Sequence, residues 1–236
     1  MKEAKELVSV TKDALQWAKG VSVVIAPPNI FLRELAASVR KGRITFAAQN
    51  AHYEEGGAFT GEISLPQVKD AKTAYVIVGH AERRALGETN EDTRKKVAAA
   101  LTIGLTPILC IGEAARTASG EHFVFVKDQL RVGLSDVPQG KLSKILIAYE
   151  PVWAIGASSA MNPHDMHEIS IFIKKTLVEK FGESGHNMRV LYGGAVDATN
   201  AVDMLRNGDV AGFLVGRASA DITKCKELIR AVGEKI

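Results

Sequence analysis

"AYVIVGHAERRALGETNED", residues 74–92, joins an apolar run to a helical pattern through a glycine and a histidine. The run is apolar throughout, as is typical of a parallel strand that is covered by helices on both faces. The stretch that follows, residues 90–104, opens with acidic residues and then brings Val97, Ala98 and Leu101 to one face, which predicts a helix. This strand-then-helix unit decides the fold, because the chain repeats it from end to end.

Six further strand-like runs of the same kind lie at 21–27, 44–49, 106–112, 145–151, 188–194 and 210–216. Helical patterns lie between them, and the chain opens and closes with a helical pattern. Repeated strand–helix units predict an α/β fold, a (β/α) barrel of seven recognisable strands. A doubly wound open sheet remains an alternative from the pattern alone. Because no linker or change of composition interrupts the repeat, we expect one domain over residues 1–236.

Composition excludes several classes of function. The 236 residues carry a net charge of only +3, without a basic block among aromatics, so we expect no nucleic-acid partner. No apolar run approaches the roughly 18–20 residues of a membrane span, so we expect no membrane association. Cys110 and Cys225 lie in apolar patterns and are interpreted as core thiols, and the N-terminus lacks the apolar core of a signal peptide. These features predict a cytoplasmic protein.

Residues with possible chemistry gather where the predicted strands end, and in a parallel barrel these ends share the face that holds active sites. His80 ends one run, where it is either a hydrogen-bonded structural residue or a functional one. Glu150 ends another, where burial would raise its pKa and suit a general base, although a structural ion pair explains it equally well. Residues 151–163 follow Glu150 and resemble a lid that excludes water.

Two glycine turns follow the last two strand-like runs, YGGA at 192–195 and VGRA at 215–218. Such turns offer backbone N–H groups to a phosphate, and phosphate sites are common at this position of barrels. His164 and His167 lie one helical turn apart, but no third ligand is evident, so we expect no metal site. The polar loop at 49–64 is either plain surface or a docking loop for a partner.

The segments AAQNAHYEEGGAFTGEIS, VGHAERR, CIGE, AYEPVWAIG, LYGGAV and GFLVGRAS together resemble the signature segments of the triosephosphate isomerases, in the same order. The resemblance implies a TIM-type barrel and the interconversion of dihydroxyacetone phosphate and glyceraldehyde 3-phosphate in glycolysis and gluconeogenesis, without cofactor or metal. It implies that Glu150 takes the proton beside the carbonyl and that a neutral His80 polarises the carbonyl oxygen. The backbone positions that it assigns to the phosphate of the triose are Gly156, Ala195, Gly216 and Arg217. The residues that it places in support are Glu82, Gly193 and Gly194.

The family's first strand ends in an asparagine–tryptophan–lysine motif that residues 1–236 do not contain. We therefore expect a barrel lacking the first strand, and turnover lowered on the order of 10³-fold, because a fixed positive charge in the site contributes several kcal/mol. We also expect a weakened or rearranged homodimer, because the family's docking pocket for the loop at 49–64 borders that strand. The alternative is an inactive family member that retains phosphate binding or serves as an interaction protein.

Smaller departures from the family pattern lie around the predicted site. Ala81 and Ala195 replace serines, and the lid reads GASSA at 156–160. Arg217 stands where the family commonly has glycine, and its side chain either points into solvent or supplies positive charge to the phosphate site. Glu82 is expected to be a half-buried carboxylate without its lysine partner, with a raised pKa or a new basic partner.

Overall fold

A computed structural model describes residues 1–39, 42–117, 119–157 and 160–234. Each strand in these ranges is parallel to the next, in the sequential order β1 to β7. The strands are β1 Val23–Ile25, β2 Ile44–Ala48, β3 Tyr75–Val78, β4 Thr106–Ile111, β5 Leu146–Tyr149, β6 Val190–Tyr192 and β7 Gly212–Phe213. The predicted seven-stranded (β/α) barrel architecture is confirmed, and the doubly wound alternative is wrong, because a doubly wound sheet reverses its strand order at one point.

Helices connect the strands. The α-helices of the described ranges are α1 Lys2–Trp17, α2 Asn29–Ser38, α3 Leu65–Asp70, α4 Ala81–Ala85, α5 Asn90–Thr102, α6 Glu121–Gly133, α7 Pro163–Phe181, α8 Ala201–Asn207, α9 Arg217–Ala220 and α10 Ile222–Gly233. Short 3₁₀ turns occupy Gln139–Lys144, Val152–Ala154 and Gly182–Asn187. Local sequence explains several of the starts. Thr89 and Asp92 form a reciprocal capping box at α5, and Asn162 accepts a hydrogen bond from His164 N at α7.

Alternate residues of the strands enter two separate apolar layers. Ile77, Ile108, Cys110, Leu146 and Ala148 form a small buried cluster on the inner face of the curled sheet. Their neighbours along the same strands belong to the larger core between the sheet and the helices. This two-sided burial is why the central strands are apolar throughout, and it leaves their polar residues to the strand ends.

The first and last strands are less well covered than the central ones. All residues of β1 and β7 are partly exposed, whereas every residue of β5 is buried. Within the described ranges, β1 pairs only with β2 and β7 only with β6, while α1 and α10 pack against each other. The contact between α1 and α10 therefore continues the helix layer between the first and last strands, which are not hydrogen-bonded to each other within these ranges. No helix in these ranges combines the length and apolarity that a bilayer crossing requires.

Candidate active site

His80 and Glu150 meet at the carboxyl edge of the sheet. His80 follows β3 after Gly79, and Glu150 directly follows β5. The imidazole Nε2 lies 3.2 Å from Glu150 Oε1, a hydrogen-bonding distance. Two side chains that are seventy residues apart in the chain therefore form one pair, because the ends of parallel strands lie on the same edge of the sheet.

Gly79 allows the chain to turn sharply between the strand and the histidine. Its φ is +73°, and a Cβ at this position would lie 2.7 Å from Thr93 Cγ2, so the turn requires glycine. Its N–H donates to Glu88 Oε1 at 2.8 Å, and its carbonyl accepts from Arg84 Nε at 2.8 Å. Both backbone groups beside the histidine are thus fixed by side chains, which holds the histidine backbone in place.

The hydrogen bonds of His80 define its tautomer. Its Nδ1 accepts from the backbone N–H of Glu82 at 3.2 Å, at the start of α4. A nitrogen that accepts a hydrogen bond carries no proton, so in the neutral ring the proton is on Nε2. Nε2 lies 3.2 Å from Glu150 Oε1, and its N–H is available to a substrate oxygen that enters the site.

Glu150 is almost fully enclosed, with 3% of the residue exposed. Burial raises the pKa of its carboxyl group, while His80 and the N–H of Ala81, which donates to Oε2 at 3.1 Å, act in the opposite direction. Gly193 packs on its side chain, since a Cβ at 193 would lie 2.7 Å from Glu150 Cγ. A desolvated carboxylate with few competing donors is suited to accepting a proton.

Glu82 differs from the expectation of a half-buried carboxylate. Its side chain is 84% exposed, and its Oε2 lies 4.0 Å from His80 Nδ1. α4 begins at Ala81 and turns this position toward solvent, so the side chain is not buried as expected. The backbone N–H of Glu82, rather than its carboxylate, makes the contact with the histidine.

A second buried carboxylate, Glu113, holds the start of the segment after Glu150. It is 2% exposed and accepts from Tyr149 OH at 2.8 and 2.9 Å and from Trp153 Nε1 at 2.9 Å. Arg116 donates to Tyr149 OH at 3.3 Å and lies over the Trp153 ring at 5.7 Å. Val152 N adds a bond to the Glu113 carbonyl at 2.9 Å. The one signal for this residue in the sequence is a carboxylate directly after the glycine that ends the run at 106–112.

The predicted phosphate positions carry backbone N–H groups that can donate to a ligand. In the part of the chain that the structure describes, the N–H groups of Gly156, Ala195 and Gly216 donate no hydrogen bond. The Arg217 side chain is exposed, yet it does not simply extend into solvent, because Nη2 donates to the carbonyl oxygen of Ala157 at 3.1 Å. That contact joins the VGRA turn to the segment after Glu150. Ser158 and Ser159, in the predicted lid, lie outside the described residues.

The sequence that forms this site is similar to those of known proteins. The family model described as triosephosphate isomerase matches residues 1–232. The chain belongs to the triosephosphate isomerase family. The triosephosphate isomerase of Endomicrobium trichonymphae is 38% identical over 230 residues, which cover 97% of this chain and 92% of the relative. That of Aquifex aeolicus is 37% identical over 223 residues, covering 94% and 90%.

The sequence motifs that indicated this family lie around the paired side chains in the fold. VGHAERR supplies His80, and AYEPVWAIG supplies Glu150 together with the segment that Glu113 anchors. At the far end of that segment, Met161 N donates to the buried Tyr192 hydroxyl at 3.0 Å. Gly194, of the same YGGA turn, lies against that hydroxyl. The roles of the individual residues in this family member remain predictions.

Metal-binding residues are not clustered in the described ranges: no group of three or more His, Cys, Asp or Glu is arranged to hold an ion. His164 and His167 line a surface cleft together with Asp203 and Asn207, and Glu150 is not among its lining residues. Cys110 is fully buried beside Glu150, and burial first, then the neighbouring carboxylate, raises the pKa of its thiol. A thiol held protonated in this way is neither a metal ligand nor a nucleophile.

Proposed function

We propose that this chain interconverts dihydroxyacetone phosphate and glyceraldehyde 3-phosphate. The observation that carries the proposal is the 3.2 Å pair of His80 Nε2 and Glu150 Oε1, which sets a desolvated base beside a neutral N–H donor. Glu150 removes the proton from the carbon next to the carbonyl and returns it to the neighbouring carbon, while His80 passes a proton between the two oxygens, so that the hydroxyl becomes the carbonyl and the carbonyl becomes the hydroxyl. His80 donates its Nε2 hydrogen bond to the carbonyl oxygen, on which negative charge develops.

The surroundings of the pair favour this chemistry over a structural ion pair. A purely structural pair would gain from a protonated, doubly donating imidazole, but His80 Nδ1 accepts a backbone hydrogen bond. Nε2 is therefore the one ring donor, and it lies 3.2 Å from the base. A substrate whose carbonyl oxygen accepts from Nε2 places the adjacent carbon within reach of Glu150.

The segment after Glu150 serves in this proposal as the cover that excludes water. Glu113 fixes its start, and the Tyr192 hydroxyl fixes Met161 near its end. The N–H groups of Gly156, Ala195, Gly216 and Arg217, which donate no hydrogen bond among the described residues, are proposed to hold the phosphate of the triose, because backbone donors do not depend on side-chain identity.

We propose in addition that the 236-residue chain turns over slowly. No lysine forms a salt bridge or hydrogen bond with His80 or Glu150 anywhere in the described ranges. A site in which the described residues supply no such cation is proposed to turn over on the order of 10³-fold more slowly, given that each 1.4 kcal/mol or so is tenfold.

A coupled assay on rigorously purified protein tests both proposals, with Glu150→Gln as the test variant. Glu183→Gln is the matched control, since that side chain is 95% exposed and remote from the pair. Slow turnover that disappears only in Glu150→Gln supports the reaction and the base. Turnover that is unchanged in Glu150→Gln contradicts the assignment, and a rate in the normal range of the family contradicts the lost-charge argument.

A homodimer of limited stability is the proposed assembly, with the loop at 49–64 as its docking element. His52 stacks on Tyr53 with ring centroids 4.5 Å apart and lies tilted against Phe59 at 4.2 Å, and Phe59 is 42% exposed. An aromatic cluster at a loop tip is suited to enter a partner's pocket. Light scattering over a dilution series is expected to show dissociation at micromolar concentration, whereas a dimer intact at nanomolar concentration contradicts the weakened assembly.

A further inference from the structure

Arg217 connects two parts of the site that are distant in sequence. It follows β7, and its Nη2 donates at 3.1 Å to the carbonyl oxygen of Ala157, sixty residues earlier. The same nitrogen lies 4.0 Å from where a Cβ on Gly156 would stand. We call residues 151–157 the hinge segment. Glu113 holds the beginning of this segment through Val152 and Trp153, and Arg217 holds its end.

The guanidinium retains most of its donors for another ligand. Of its five N–H donors, the Ala157 carbonyl engages one nitrogen, and no carboxylate pairs with Arg217 within the described residues. The side chain is exposed and permanently charged. Two backbone N–H groups that neighbour this contact in the chain, those of Gly156 and Gly216, are unoccupied in the same part of the structure. Free donors and uncompensated positive charge therefore coincide at the end of the hinge segment.

We propose that Arg217 is a positioning residue that couples the hinge segment to a bound phosphate group. Its Nη2 stays on the Ala157 carbonyl while the remaining N–H donors bind the phosphate, so one planar group bridges the two. This inference rests on the proposed function only for the identity of the phosphate-bearing substrate. Arginine departs from the family pattern within the segment GFLVGRAS, since the family commonly has glycine at this position.

The bridge makes two effects reciprocal. A phosphate that orders the guanidinium also tightens its bond to Ala157, and by thermodynamic linkage an ordered hinge segment binds phosphate more tightly. A lysine at 217 would supply the charge, but as a flexible point charge it would not hold both partners in a fixed geometry. Substitution of Arg217 by lysine therefore separates the effect of its positive charge from the effect of its bridge between Ala157 and the phosphate.

The experiment uses the full chain with inorganic phosphate as the probe, in wild type, Arg217→Lys and Arg217→Met. Arg230→Met is the matched control, because it removes one exposed charge on α10. Calorimetry gives the phosphate affinity, and hydrogen exchange of the Ile155 and Ala157 amides, with and without phosphate, reports on the hinge segment.

We expect Arg217→Met to bind phosphate about tenfold or more weakly, the loss of one charge-assisted hydrogen bond, and Arg230→Met to match wild type. Phosphate should slow amide exchange in wild type but in neither Arg217 variant, while Arg217→Lys keeps most of the affinity. Wild-type affinity in Arg217→Met, or absence of phosphate binding in the wild type, overturns the proposal. Equal protection in wild type and Arg217→Lys overturns the bridging.

Isomerase turnover, measured in parallel, separates this inference from the proposed function. An inactive wild type whose phosphate response depends on Arg217 rejects the proposed reaction and supports the coupling. An active wild type in which neither affinity nor exchange depends on Arg217 rejects the coupling alone.

Discussion

The substitution Tyr149→Phe removes a single hydroxyl from the carboxylate network that anchors the hinge segment. Tyr149 is completely buried, and its hydroxyl donates to both Glu113 oxygens at 2.8 and 2.9 Å. Without it, Glu113 retains Trp153 Nε1 at 2.9 Å and a longer contact with Arg116 Nε at 3.4 Å. One carboxylate oxygen, Oε2, then has no side-chain donor among the residues that the structure describes.

The expected cost follows from that loss. A hydrogen bond to a charged group contributes about 1.5–3 kcal/mol to the free energy of unfolding. For a chain of 150–250 residues, each 1 kcal/mol lowers Tm by about 2–4 °C, which predicts a fall of about 3–12 °C. The cavity is small because phenylalanine fills the remaining ring volume, so packing adds little to this value.

Urea denaturation and thermal melting measure the change, with Tyr53→Phe as the control. The Tyr53 hydroxyl makes no hydrogen bond within the described ranges, so its removal is expected to alter stability by less than about 0.5 kcal/mol. If Tyr149→Phe and Tyr53→Phe behave alike, the hydroxyl does not support Glu113, and the anchoring of the hinge segment by this network is refuted.

Three further predictions concern charged side chains. Lys96→Met should lower the free energy of unfolding by about 3–5 kcal/mol in urea denaturation, because the side chains of Lys96 and Glu88 are 7% and 3% exposed and lie 2.7 Å apart. The exposed Lys127→Met is the control, with an expected loss of less than about 1 kcal/mol, and a loss that small in Lys96→Met would contradict the prediction. As the pH decreases, kcat/KM should fall through the pKa of Glu150, because the base acts in its ionised form. Since burial raises that pKa, the fall should come at higher pH than for an ordinary carboxyl group, and a fall at the ordinary value would show that burial does not control the pKa of Glu150. Glu82→Gln should change stability by less than about 0.5 kcal/mol, as its side chain is 84% exposed, and a larger loss on melting would reveal a partner for this carboxylate.

The order of the strands was predictable because each strand–helix unit is encoded locally. The central strand β4 at Thr106–Ile111 agrees with its predicted run at 106–112 to within one residue. The edge strands are shorter than predicted, and β7 covers only Gly212–Phe213 of the run at 210–216. A strand with one neighbouring strand is hydrogen-bonded on one side only, and the apolar pattern of a sequence does not show how many neighbouring strands there are.

The pairing of His80 with Glu150 was also accessible, since a parallel sheet brings strand ends to one edge whatever their separation in sequence. Glu113 was not, because its role depends on donors from Tyr149 and Trp153, which lie 36 and 40 residues further along the chain. The Arg217 contact with Ala157 was inaccessible for the same reason. Sequence position predicts which residues share an edge, but it does not predict which hydrogen bonds form there.

The contrast between Glu82 and Glu88 shows what burial of a carboxylate requires. The family resemblance implied that Glu82 would be partly buried, yet Glu88 is the enclosed side chain, with 3% exposed. Glu88 accepts from Gly79 N at 2.8 Å and from Lys96 Nζ at 2.7 Å, and its Oε2 lies 3.6 Å from Arg83 Nε. An unpaired buried charge is unfavourable by several kcal/mol, so a carboxylate is enclosed only where such donors converge. That condition is met at Glu88, in the turn after α4, and not at Glu82, on the first turn of α4. Because the bond from Gly79 N to Glu88 also fixes Gly79, the burial of Glu88 positions the backbone that presents His80 to Glu150.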